Sequence, residues 1–238
     1  MDTEDIDFSV VIPAYNEEET IELALSRIFQ TMNHINRRFE IIVVCDGDQN
    51  KTASALQHLR YSELHIIDLE VNRGKGFALR TGASIARGAS LIFIDADLDL
   101  DAGRLPELIH LYENQHLDLL VGSKLHPNSI VHYPKSRRFM SSVYRRIIKS
   151  LFGLNVSDTQ TGLKICKRES FLEIKDDLFV DGFAFDLELI CRFEKKAFTI
   201  GEGPVTLNFQ FKSTVNYRSI LIMIISTYRI YKKIKEND

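Results

Sequence analysis

The sequence predicts an α/β fold built on a mostly parallel sheet with helices on both faces. Three observations lead there. Five short apolar runs, rich in Val and Ile, recur between residues 9 and 123. Helical patterns separate them, so successive strands are joined by crossovers and run parallel. The runs are continuously apolar rather than alternating, as strands covered on both faces are.

SVVIPA (9–14) is the first strand, and EEETIELALSRIFQTM (17–32) a helix with acids in its first turn. EIIVVCD (40–46) is the second strand, followed by a helix from about Lys51 to Leu59. LHIIDLE (64–70) is the third, and the stretch after Gly74-Lys75-Gly76 is helical to about Arg87. SLIFID (90–95) is the fourth, a helix follows from about Arg104, and LDLLVGS (117–123) is the fifth. Beyond these, KSRRFMSSVYRRIIKSLF (135–152) and NYRSILIMIISTYRIYKKIK (216–235) read as amphipathic helices with basic borders.

The 238 residues suffice for one large domain with a sizeable core. A composition of 45% hydrophobic and 26% charged residues is that of an ordinary globular protein. A net charge of −3 predicts no nucleic-acid partner. Cys45, Cys166 and Cys191 are odd in number, widely spaced and set among apolar residues, the pattern of reduced core thiols in the cytosol. The acidic start MDTEDID is expected to be neither a signal peptide nor a mitochondrial presequence.

In parallel α/β sheets the ligand sits beyond the carboxyl ends of the strands. Those ends carry Pro13-Ala14-Tyr15-Asn16-Glu17, Asp46-Gly47-Asp48, Asn72-Arg73-Gly74-Lys75-Gly76 and FIDADLDLDAGRL (93–105). Four polar, Gly-punctuated segments on one rim, three with carboxylates, predict a ligand site. Asp48 has the alternative role of capping the next helix. Asp95, Asp97, Asp99 and Asp101 stand two apart; in an extended strand they would repel their neighbours by about 2 kcal/mol. An EF-hand is excluded, because its sixth and twelfth positions would be Leu100 and Pro106. Asp101 suits a helix cap. A hard cation, Mg²⁺ or Mn²⁺, explains the others, since it takes one or two carboxylates plus phosphate oxygens and would screen a diphosphate leaving group.

SVVIPAYNEEETI, the Asp46 loop, NRGKGFALRTG and FIDADLD resemble the nucleotide-sugar half of inverting GT-A glycosyltransferases, whose sheet is Rossmann-like. VGSK (121–124), DTQTGLKICKRE (158–169) and GFAFDLELICR (182–192) extend the resemblance, over about residues 8 to 233, to dolichyl-phosphate glucosyltransferases and, less closely, dolichyl-phosphate mannose synthases. The resemblance implies that Pro13, Tyr15, Glu17 and Asp46 line the base and ribose pocket, with Lys75 also on the nucleotide. It implies Asp95 and Asp97 at the diphosphate and metal, with Asp99 as a further metal ligand. Lys124 and Lys164 stand where relatives carry Arg, keeping the charge but losing the bidentate fork. Asp97, Lys124 and Asp186 are the catalytic candidates.

The resemblance also implies a polyprenyl or dolichyl phosphate acceptor and, through the two basic helices, a membrane surface. The six-residue apolar run Ile220 to Ile225, flanked by Tyr and Lys, suits an interface rather than a span. A phosphate monoester is ionised near neutral pH and needs cations more than a general base. Lys124, Arg137, Arg138 and Lys164 are the candidates to hold it, with Ser141 as a hydrogen-bond partner. Asp186 falls where hydroxyl-acceptor enzymes keep their base; the alternative is a buried carboxylate paired with Arg192 or Lys164. Residues 125–134 form a candidate lid.

The expectation is therefore a GT-A domain over 1–212 and a C-terminal amphipathic membrane-interface segment over 213–238. It would transfer glucose or mannose from a UDP- or GDP-hexose, with inversion, at the cytosolic face of a membrane. The alternatives are transfer to a polysaccharide or soluble hydroxyl, a sugar-phosphate nucleotidyltransferase, and a non-catalytic nucleotide-binding module. The nucleotidyltransferase would want a Gly-rich loop with Arg after the first strand, which PAYNE does not supply.

Overall fold

The computed structural model describes residues 5–49, 51–132, 135–208 and 217–236, and side chains outside 132–143 and 209–220. Strands β1 (Phe8–Ala14), β2 (Phe39–Asp46), β3 (Leu64–Leu69) and β4 (Ser90–Phe93) pair in parallel, as their apolar runs predict. Helices α1 (Ile21–Ile35), α2 (Lys51–Leu56) and α3 (Lys75–Ile85) connect them. After α4 (Leu105–Asn114) and β5 (Leu119–Ser123) come the short β6 (Ile130–His132) and α5 (Lys135–Phe152). The chain continues through β7 (Lys164–Lys167), α6 (Arg168–Ile174), α7 (Phe185–Lys195), β8 (Ile200–Pro204), β9 (Thr206–Asn208) and α8 (Tyr217–Glu236).

The main sheet runs β3-β2-β1-β4-β7-β5-β8, and β6 pairs with β9 separately. Strand β7 is antiparallel to both its neighbours, with Lys164 opposite Phe93 on one side and Val121 on the other. Antiparallel insertion has a functional consequence. It brings the first residue of β7 to the rim where β1, β2, β4 and β5 end.

Alternation along β1 divides the core. Val10 and Ile12 pack toward α1 and α4, while Val11 packs toward α3 and α7. Helix α1 begins four residues later than the acidic pattern suggests, because Glu17 to Thr20 form a turn closed by Thr20 N–H and Ile21 N–H on Glu17 O. Asp48 does cap: its Oδ2 accepts from Thr52 N at 3.1 Å and Asn16 N at 3.2 Å. Asp101 caps the 3-10 turn before α4 through Gly103 N at 2.9 Å. Of residues 125–134, expected as a lid, 133–134 lie outside the described residues and the rest is tied down: Ser129 Oγ donates to Ser123 O at 2.6 Å and Arg104 reaches Asn128 O.

Both C-terminal amphipathic patterns are helices with two apolar sides. On α8, Thr227 and Ile230 are buried and Met223 and Ile234 pack on the core, whereas Leu221, Ile222, Ile224 and Ile225 are all more than half exposed. On α5 the docked stripe is Tyr144, Ile148 and Phe152, while Ile147 and Leu151 face outward. Tyr144 Oη and Thr227 Oγ1 lie 2.8 Å apart, joining the two helices.

At the opposite end of the sheet Glu40 is buried, its carboxylate accepting from Ser9 Oγ (2.7 Å), Arg87 N (2.7 Å) and the Arg87 guanidinium (2.7 Å). Burial pushes its carboxyl up, but these donors outweigh burial and hold it below the usual range. Glu40→Ala should therefore cost about 2 kcal/mol at pH 7. The contribution is complete above the ordinary glutamate pKa of 4.5 and fades as pH falls through the lower folded value. Urea unfolding at pH 7 and pH 3.5 checks this; a difference that does not shrink in acid would contradict it.

Candidate active site

After Phe93 the chain leaves the sheet, and Leu98 turns through φ 61°. The acids therefore do not continue a strand, yet they alternate with core residues. Ala96 and Leu98 are buried while Asp95, Asp97 and Asp99 are half-buried. The repulsion inherent in the cluster is met first from within the protein. Lys75 Nζ lies 2.8 Å from Asp95 Oδ1 and 3.1 Å from Asp186 Oδ2. Lys164 Nζ, with no exposed side-chain area, lies 2.6 Å from Asp186 Oδ1 and also donates to Thr161 O. Carboxylates and ammoniums thus alternate along one chain: Asp95, Lys75, Asp186, Lys164.

This placement bears on two expectations. Lys164, assigned to the acceptor phosphate, is committed to Asp186 and Thr161 in the interior. Asp95, Asp97 and Asp99 do not form a ready-made ligand set: among the described residues no three His, Cys, Asp or Glu converge to hold a metal. Asp95 is on Lys75, and Asp97 Oδ1 accepts from Asp99 N at 3.1 Å. The site nonetheless suits a cation. Burial, then the charges of Asp95 and Asp99, push Asp97 up to about 7. Burial chiefly, with Asp95 and Asp99 adding, raises Glu17 as well. Negative charge is in excess here, and a divalent cation would relieve it.

Asp186 and Glu188, neighbours in sequence, face different ways because two positions rotate about 200° around a helix. Burial alone would raise Asp186, but the Lys164 and Lys75 ammoniums prevail and hold it below the usual carboxylate range. Glu188 instead accepts from Phe179 N (3.1 Å) and Val180 N (2.8 Å), with Arg192 at 3.8 Å.

The remaining nucleotide-side candidates stand on the same rim. Pro13 is half-buried near the end of β1, and Tyr15 is exposed beside it. Asp46 is buried and grips the third loop, accepting from Arg73 N at 2.8 Å and Gly74 N at 2.7 Å. Gly74 has φ 103°, and a Cβ there would strike the Asp181 carbonyl, so this loop needs glycine. Lys124 Nζ lies 3.3 Å from buried Asp158, whose carboxylate also takes Thr161 Oγ1 and Gln160 N. The side chains of Arg137, Arg138 and Ser141 lie outside the described residues.

Two residues without a sequence-derived role emerge. Asp158 organises the loop that holds Lys124, and its Asx turn onto Gln160 is the signal that could have been read. Gly162 lies so close to Asp95 that a Cβ would occupy the carboxylate's place. No local signal announces that contact.

Comparison with known proteins agrees with this geometry. Residues 9–175 match the family described as glycosyl transferase family 2. The chain belongs to that family. It is a glycosyltransferase enzyme. Glycosyltransferase AglD of Haloferax volcanii is 30% identical over 84% of the chain, which spans only 33% of that protein. The dolichyl-phosphate beta-glucosyltransferase of Saccharomyces cerevisiae is 31% identical over 86% of the chain and is itself covered for 68%. The Dictyostelium discoideum enzyme of the same name is covered for 66%, so the chain spans about two thirds of these enzymes. Among solved structures, glucosyl-3-phosphoglycerate synthase from Mycobacterium tuberculosis, crystallised with phosphoglyceric acid, superposes with a TM-score of 0.72. It is 20% identical, with 96% of this chain and 80% of that one covered. The same enzyme with Mn²⁺, uridine-diphosphate and glucosyl-3-phosphoglycerate gives 0.70 at 21% identity. The fold is GT-A.

The Asp97 shift yields a test of the cluster's strain. Its carboxyl titrates at about 7 in the fold against 3.8 as a free group, so the unfolded chain releases this proton first. Raising the pH across that window destabilises the protein. Without added metal, Asp97→Asn should melt several degrees above wild type at pH 8, and the two should converge near pH 4. Thermal shift at both pH values decides; a wild type that outlasts the variant at pH 8 contradicts the charge excess.

Proposed function

We propose that the protein transfers glucose from UDP-glucose to a polyprenyl phosphate of the dolichyl type, with inversion and with Mg²⁺ or Mn²⁺. The observation that carries this reading is the state of Asp186. A carboxylate pinned between two ammoniums and held below its usual range is a poor proton acceptor at neutral pH. A hydroxyl acceptor would need such a base, whereas a phosphate monoester arrives ionised. The names of the relatives point the same way: several are dolichyl-phosphate beta-glucosyltransferases. The M. tuberculosis synthase was crystallised with Mn²⁺ and UDP-glucose, which supports UDP over GDP as the nucleotide.

Asp97, with Asp95 and Asp99 beside it, would hold the cation, which when bound screens the charge of the diphosphate leaving group. Glu17, Tyr15, Pro13 and Asp46 shape the rim that receives the nucleoside, Asp46 by fixing the backbone of residues 73–74. Lys124, partly exposed and steadied by Asp158, is placed to receive an acceptor phosphate; Arg137, Arg138 and Ser141 are proposed beside it. Lys164 acts one step removed, by holding Asp186.

The acceptor's chain lies in a bilayer, and the exposed sides of α5 and α8 are suited to meet it. Among the described residues no helix is long and apolar enough to cross a membrane. Four exposed aliphatic residues on one helix, with Ile147 and Leu151 on the next and Arg146, Lys149 and Lys232 around them, suit a peripheral seat on an anionic surface. We place that seat at the cytosolic face.

Two measurements test the proposal. Purified protein given UDP-glucose and dolichyl phosphate with Mn²⁺ should form a glucosylated lipid phosphate, and EDTA should abolish this. Undiminished transfer in EDTA, or transfer only to soluble hydroxyl acceptors, would overturn it. Because Thr227 and Ile230 are buried, deleting α8 would damage the fold, so the membrane seat is better probed at its surface. Ile222→Glu with Ile225→Glu should release the protein from anionic vesicles while changing its melting temperature little. Undiminished vesicle binding would remove the membrane role from α8.

A further inference from the structure

We propose that Lys75 is a built-in counter-ion that occupies Asp95 until a nucleoside diphosphate arrives, so that metal and donor are taken up together. The inference rests on the metal-dependent reading above and adds an order to it. Lys75 Nζ sits 2.8 Å from Asp95 Oδ1 and is only 13% exposed, so water screens the contact little. A divalent cation reaching Asp95 in the free enzyme must therefore displace a bound ammonium or share a carboxylate with it. Either is unfavourable for like charges at close range.

The surroundings make the exchange possible once an anion is present. Asp186 keeps Lys164 at 2.6 Å, so it is not left unpaired when Lys75 moves. The backbone at the start of α3 is already engaged: Gly76 N and Phe77 N donate to Asp181 O at 2.7 Å and 3.1 Å. An incoming diphosphate at this helix end thus meets the Lys75 ammonium, the amides of Gly76 and Phe77 being already engaged. The other nearby cations are placed differently. Lys124 is on Asp158, and exposed Arg73 lies over the Phe77 ring, 3.7 Å from its centroid. The diphosphate offers oxygens to Lys75 and, at the same time, ligands that complete the metal's shell. Lys75 transfers from Asp95 to phosphate, and the metal takes its place. By linkage, nucleotide must strengthen metal binding by the factor with which metal strengthens nucleotide binding.

The test uses Mn²⁺ titrated into the full chain, free ion being followed by electron paramagnetic resonance, with and without UDP. Wild type should hold Mn²⁺ at least tenfold more tightly with UDP. Lys75→Met should hold Mn²⁺ alone at least tenfold more tightly than wild type and show correspondingly less gain from UDP. Arg73→Met removes a nearby positive charge without touching Asp95 and should behave as wild type. The proposal falls if Lys75→Met gains no affinity for Mn²⁺ alone, or if Arg73→Met gains as much. Should Lys75→Met prove unfolded by circular dichroism, Asp186→Asn decides: Lys75 is then left to Asp95, and Mn²⁺ binding with UDP should weaken several-fold. Unchanged or tighter binding there overturns the proposal. A wild type that binds no Mn²⁺ even with UDP fails the metal reading itself, a result distinct from failure of the Lys75 exchange.

Discussion

One ammonium shared between two carboxylates ties the site together. Lys75 enters from the start of α3, Asp95 from the end of β4 and Asp186 from the start of α7, and the three meet within about hydrogen-bond distance. Most of the rest follows from keeping that meeting point. Gly162 is small so that Asp95 can stand where a side chain would be. Strand β7 runs antiparallel so that Lys164 emerges at the same rim and completes Asp186. Asp46 and Gly74 fix the loop from which Lys75 departs. Removing one member of such a buried set leaves its partner charged and uncompensated, which is why the set behaves as a unit.

The same loop system links the site to the outer helices. Asp181 O receives Gly76 N and Phe77 N, while two residues earlier Phe179 lies beneath Lys233, 4.1 Å from ring centroid to Nζ. Helix α8 therefore reaches the start of α3 through residues 179–181. Its buried stripe, with Thr227 and Ile230, secures it to the domain and leaves Leu221, Ile222, Ile224 and Ile225 exposed on the other side.

Legibility in the sequence followed the range of the interactions. Strands β1, β2, β4 and β5 could be read because each is a largely continuous apolar run, and the edge strand β3 because Leu64, Ile66, Ile67 and Leu69 carry the pattern past His65 and Asp68. Strand β7, a Lys-Ile-Cys-Lys segment, and β8, an Ile-Gly-Glu-Gly-Pro segment, carry too little pattern, and their pairing is chosen by the tertiary fold. Asp48 and Asp101 could be read as caps because capping is local. The Asp95, Lys75 and Asp186 contacts join residues 20 and 111 positions apart, and no spacing rule reaches so far. For that reason the acid cluster looked uncompensated from the sequence, and Lys164 looked like a phosphate ligand rather than a support. On α5 the amphipathic pattern could be read, but not which of the adjacent Ile147 and Ile148 faces the core; packing buries Ile148.

The central claim is that Lys75 and Asp186 stabilise the protein through each other. A double-mutant cycle measures this most directly, using Lys75→Met, Asp186→Asn and the pair, with unfolding free energies from urea titration at pH 7. The shared-ammonium account predicts that the pair costs less than the sum of the singles, by about 2 kcal/mol. Additivity within about 0.5 kcal/mol would mean that the two residues act independently, and would contradict it.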